Sequence, residues 1–87
     1  MARFPANQAE ELRQEQELLV KADVDIEEGR KRIRDQEDLL SDLRAGGHDT
    51  VQAERLVDLL KETLVQWERH RILIEERVEH LQKEVGP

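Results

Sequence analysis

The chain has 87 residues, of which 40% are charged and 37% apolar, a formal net charge of −7, and only Phe4 and Trp67 as aromatics. Short chains bury the smallest share of their surface, so a sequence this polar does not build a sizeable globular core, which points to elongated helices that share an interface or to disorder. The absence of cysteine removes disulfides, thiolate metal sites and thiol nucleophiles, and no apolar run approaches the roughly 20 residues that cross a bilayer.

The N-terminal stretch MARFPANQAEELRQ shows no continuous apolar segment, so a secretory signal is not expected and the protein reads as cytoplasmic by default. Split at Gly46, the first 45 residues carry 8 basic and 12 acidic groups and the remainder 6 and 9. Acidity spread this evenly is that of a solvated surface. It repels phosphate backbones, so nucleic acid is not an expected partner. The same charge, with no basic polar face, disfavours binding to a membrane surface.

The first predicted element is a helix over about residues 7–45. Pro5 and Asn7 are the last turn-type residues before a run rich in Glu, Gln, Arg, Leu and Ile that only Gly29 interrupts. Steps of seven from Leu12 reach Leu19, Ile26, Ile33 and Leu40, all aliphatic. The positions three further on are Glu15, Ala22, Gly29, Gln36 and Leu43. That is a heptad seam with one strong row and one small or polar row.

A turn follows at 46–50. Gly46 and Gly47 form a helix stop, since glycine adopts the left-handed conformation at little cost. Asp49 or Thr50 is the expected start of the next helix, with Gln52 completing a capping-box variant. His48 in the turn reads as turn or cap polarity.

The second helix is predicted over about 51–84, a stretch with neither glycine nor proline. Its two rows are Val57, Leu64, Arg71, Val78, Val85 and Ala53, Leu60, Trp67, Ile74, Leu81, nine of ten apolar. A sustained 3.5-residue period on both sides of one short turn predicts an all-α fold: an antiparallel coiled-coil hairpin as a single domain, 1–87, with arms of roughly 50–55 Å. Reversal at the glycine pair sets facing positions whose numbers add to the mid-nineties. The predicted core is then Leu12, Leu19, Ile26, Ile33, Leu40, Leu60, Leu64, Trp67, Ile74, Val78 and Leu81. In that register Trp67 falls beside Ile26 and Gly29, the glycine leaving room for the indole.

The apolar stripe of the second helix is wider than a two-helix seam requires. Leu56, Leu59 and Leu73 extend it on one flank, and Leu18 and Leu39 do the same on the first helix. Contiguous apolar strips usually mark interfaces, and isolated two-helix hairpins are marginally stable. Both arguments predict pairing of two hairpins into a four-helix bundle. The alternative is an adaptor whose leucine strip, or outer face with Val65 and Ile72, takes a helix of a different protein.

No catalytic constellation emerges, so an enzyme is not expected, and neither is a cofactor. No histidine has glutamate three residues before it, as di-iron bundles require. Ser41 is the only serine, and no phosphate loop or dinucleotide fingerprint is present. Arg71, at a seam position, is expected to reach past the edge to Asp23 or Asp25. The run Arg30-Lys31-Arg32-Ile33-Arg34 is bracketed by acids. The pairs Glu27–Lys31, Glu28–Arg32, Lys31–Asp35 and Arg34–Asp38 are expected to neutralise it along one helix.

The stretch from Gly29 to Ile74 resembles a set of small uncharacterised bacterial helical-hairpin proteins with a Gly-His-Asp-Thr turn between the helices. The residues that carry the resemblance are Gln36, Leu39, Leu40, Gly47, His48, Asp49, Thr50, Ala53, Glu54, Leu56, Leu60, His70 and Arg71, and it covers about half the chain. The resemblance implies a small helical protein, standing alone or appended to regulatory proteins, and no particular activity.

Overall fold

The structure is a computed structural model that describes residues 3–86, with side chains from 7 to 86. It consists of two helices, α1 (Arg3–Ala45) and α2 (Val51–Val85), packed side by side as a hairpin. The antiparallel register follows from the cross-helix pairs. Arg44 meets Glu54, Lys61 meets Glu37, Arg30 meets Glu68, Asp23 meets Arg71 and Glu15 meets Arg77. As numbers fall along α1 they rise along α2, in the register that the glycine turn dictates.

The molecule is a rod, 69 × 17 × 15 Å, with a radius of gyration of 19.6 Å. A compact globule of this length would have a radius of gyration of roughly 12 Å. At 43 residues, α1 runs about 64 Å, longer than the sequence suggested. The helix starts at Arg3 rather than near residue 7 because Pro5 falls in its first turn, where a missing N–H costs no intrahelical bond.

Burial follows the 3.5-residue rows. Ile26, Ile33, Leu40, Val57, Ile74, Val78 and Leu81 form the buried core. Every other position of the two rows is half-buried except Trp67 and Val85, which are exposed. No large side chain among the described residues is completely buried. Two helices alone cannot surround a side chain, so the core is a thin line rather than a volume.

The turn ends α1 with both bonds of a Schellman motif. The His48 N–H donates to the Leu43 carbonyl at 2.9 Å and the Gly47 N–H to the Arg44 carbonyl at 3.1 Å. Gly47 carries the positive φ of 72° that this ending requires, and the His48 ring lies over Gly46. Thr50 precedes α2 without a side-chain cap. Instead Asp49 Oδ1 accepts from the Val51 N–H at 3.1 Å, and Gln52 does not close the expected capping box. Thr50 Oγ1 turns to Glu54, which also accepts from Arg44 at 2.9 Å, joining the two helices just behind the turn.

Candidate interaction surface

The two long sides of the rod have opposite chemistry. On one side, the positions flanking the seam carry Asp23, Arg30, Glu37 and Arg44 from α1 and Glu54, Lys61, Glu68 and Glu75 from α2. Six of these pair across the helices. Arg44 meets Glu54 at 2.9 Å, Lys61 meets Glu37 at 3.2 Å and Arg30 reaches Glu68 at 4.0 Å. Arg71 emerges from the seam toward this side, donating from Nε to Asp23 and from Nη1 to Glu75 at 2.6 Å. Its exit past the edge to Asp23 matches the sequence expectation. Asp25 instead lies on the opposite side.

Hydrogen bonds to Arg44 and Thr50 hold the Glu54 carboxyl below the usual glutamate range. Bonds to Asp23 and Glu75 raise Arg71. Both groups face water, so these pairs set pairing geometry more than they add stability.

The opposite side carries the exposed leucines, interspersed with charged residues. Leu18 and Leu39 of α1 lie along it, 46% and 47% exposed, together with Leu56, Leu59 and Leu73 of α2. Between the helices on this side runs a groove of about 200 Å³ lined by Leu18, Lys21, Ala22, Asp25, Trp67, His70 and Ile74. A smaller depression among Gly29, Arg32, Leu60, Thr63, Leu64 and Trp67 continues it toward the turn. The groove exists because the α1 row on this side is small: Ala22 and Gly29 leave the indole of Trp67 with little opposite it.

Trp67 is therefore a correction to the expected core. It is 39% exposed and forms part of the groove rather than a filled layer. The glycine explanation also changes. A methyl group at Gly29 would meet Leu64 Cδ1 at 3.6 Å and the Trp67 ring at 3.8 Å, ordinary contact distances, so the indole does not require a glycine there.

The other expected core residues divide by position. Ile26, Ile33, Leu40, Ile74, Val78 and Leu81 are buried, whereas Leu12, Leu19, Leu60 and Leu64 are half-buried. Val57, in the seam row but not singled out for the core, is more buried than every core residue except Ile74. Leu18, Leu39, Leu56, Leu59 and Leu73 are all exposed, as are Val65 and Ile72 on the outer face. Glu15, in the weak row, bonds Arg77 at 3.0 Å through one oxygen, while the other is buried with no partner.

The four intrahelical pairs expected around the basic run are not among the described ion pairs. Arg34 approaches Glu27 at 3.8 Å and Arg30 crosses to Glu68. Exposed pairs four residues apart contribute only about 0.3–0.5 kcal/mol and do not dictate rotamers. The cross-helix ladder was legible in the sequence, since positions flanking an antiparallel seam face their counterparts. It emerges only when charges are compared between helices rather than along one.

Among the described residues no three His, Asp or Glu side chains converge to hold a metal ion. No described helix is long and apolar enough to cross a membrane. No protein-family model, curated protein or solved structure matches the chain.

Proposed function

We propose that this protein is a non-catalytic cytoplasmic association module that pairs with a second copy through its leucine side. Two hairpins close into a left-handed coiled-coil bundle of four helices, which then acts through protein contacts. The observation that carries this reading is the placement of the leucines: four cross-helix ion pairs lie on one side, while the five exposed leucines and a groove lie on the other. The leucines span residues 18–39 of α1 and 56–73 of α2, about 30 Å of the rod at 1.5 Å per residue, so an interface of the usual roughly 800 Å² per partner would take in the polar residues beside them as well. The Thr63 hydroxyl on this side already donates to the Leu59 carbonyl at 2.9 Å, so covering it leaves no donor unsatisfied.

The test is solution mass by light scattering across a dilution series. The expected result is twice the 10.2 kDa chain mass, reduced to a single chain when Leu59 and Leu73 are both replaced by Glu. An unchanged mass in that variant would remove the leucine side from the interface. A helical monomer in the native sequence would instead assign the strip to a helix of a different protein.

A further inference from the structure

The leucine side is self-complementary about one level of the rod, and that fixes how two copies meet. On α1 the row bordering this side reads Leu18, Asp25, Arg32, Leu39 at seven-residue steps. Its midpoint falls between Glu28 and Gly29. On α2 the outer row of the same side reads Leu59, Gln66, Leu73, with its midpoint at Gln66. These two midpoints lie at the same height, because Gly29 packs against Leu64 and Trp67 on either side of Gln66. Nothing in a single hairpin requires the centres of the two rows to coincide.

We infer that two copies pair about a two-fold axis that crosses the rod perpendicularly at the Gly29–Trp67 level, with the turns at opposite ends. This inference rests on the self-association reading above and adds its geometry. A two-fold axis at that level sets Leu18 against the partner's Leu39 and Leu59 against the partner's Leu73, each contact occurring twice. The same operation sets Asp25 against the partner's Arg32. Lys21, one row further out, faces the partner's Asp35. The two Trp67 side chains meet at the centre, each covering the groove where Ala22 and Gly29 leave the other half-exposed. The leucines of these two rows thus meet leucines, and Asp25 and Lys21 meet opposite charges, while Glu28, in the row of Lys21, comes level with the partner's Glu28 at the axis and Leu56 has no leucine opposite it.

The competing symmetric arrangement has its axis along the rod and both turns at one end. It lays α2 on the partner's α1 at unchanged height. Lys21 then falls level with the partner's Leu73, and Glu11 level with the partner's Glu84. It keeps one leucine match, Leu39 with the partner's Leu56, but sets Leu18 level with the partner's Arg77 and leaves Leu59 and Leu73 without leucines opposite them.

Two measurements on the full chain separate these geometries. Because the protein lacks cysteine, His48→Cys places a single nitroxide label on the turn. Dipolar electron spectroscopy is expected to read roughly 55 Å between the labels of a pair, about 18 residues of rise on each side of the axis. Turns at one end would give less than about 25 Å, set by interaxial spacings of 8–10 Å and the label linkers. The second measurement is a charge exchange read by dilution light scattering. Asp25→Arg and Arg32→Asp are each expected to weaken association by about tenfold, since every change touches two symmetric contacts, and the double variant is expected to restore it.

Helical circular dichroism of each variant separates a folding defect from an interface defect. A stable pair with a short label distance, or one with no rescue in the folded double variant, overturns the geometry and leaves self-association standing. A native chain that stays monomeric overturns both.

Discussion

The two sides of the hairpin are built on the same heptad and differ in the rows that flank its seam, yet they present different chemistry. The ion-pair side matches charge to charge at three flanking positions, with Arg71 bridging the acids Asp23 and Glu75 at a fourth, and so specifies which residue of α1 stands opposite which residue of α2. The leucine side leaves that specification undone within the chain, because its apolar groups exceed what two helices can cover. The difference teaches that polar flanks set the register of an antiparallel seam, while apolar flanks leave surface that a two-helix seam does not cover. Substitutions on each side should therefore be read by different instruments: association for one, local order for the other.

The largest effect is expected under the groove. Ile74 is the most buried core residue, 3% exposed, and it lines the groove floor. Ile74→Ala should lower stability by about 2–4 kcal/mol in urea unfolding. The neighbouring Ile72→Ala on the outer face should stay within about 0.5 kcal/mol. Equal effects would mean that the seam does not lie where the structure puts it.

Next in size is a gain. Gly29 sits mid-helix with ordinary contact distances waiting for a methyl group. Gly29→Ala should therefore stabilise the hairpin by about 0.5–1 kcal/mol, through helix propensity and a partly filled depression beside Trp67. A loss of stability would show that the indole needs the space after all.

The ion-pair side should prove tolerant. Lys61→Gln removes the 3.2 Å pair with Glu37 between two half-exposed side chains, and a shift of less than about 0.5 kcal/mol is expected. The smallest effect belongs to Glu54, whose folded-state carboxyl is held below its ordinary value by Arg44 and Thr50. A lowered acid contributes stability above its unfolded pKa and loses it as pH falls through the folded value. Amide exchange at the turn should thus quicken only below the usual glutamate range, and Glu54→Gln should flatten that dependence.

Much of this fold is legible in the sequence because its causes are periodic. The rows from Leu12 to Leu40 and from Ala53 to Leu81 mark the seam, and the glycine pair after Ala45 marks the reversal. What escaped depends on non-periodic detail. Pro5 looks like a boundary but is accommodated inside the first turn of α1. Trp67 sits in a core row, yet how far it is covered depends on the size of its neighbours on the other helix, and Ala22 and Gly29 are too small to cover it. At the start of α2, Asp49 serves its near neighbour Val51 while Glu54 is drawn to Arg44, so the capping pattern with Gln52 loses to a contact between helices. Of the candidate surface, the leucines were legible one by one. Their common midpoint required the register.

The ladder of contacts also orders the chain in time. Arg44 and Glu54 are separated by 10 residues, Asp23 and Arg71 by 48, and Glu15 and Arg77 by 62. Closing the last pair directly from an open chain means closing a long loop, whereas closing it after its predecessors adds only a few residues of slack. A hairpin arranged this way zips from the glycine turn outward and frays from the free ends inward. The tip, held by the Schellman bonds and the Arg44–Glu54–Thr50 contacts, is where assembly begins and the last place to come apart.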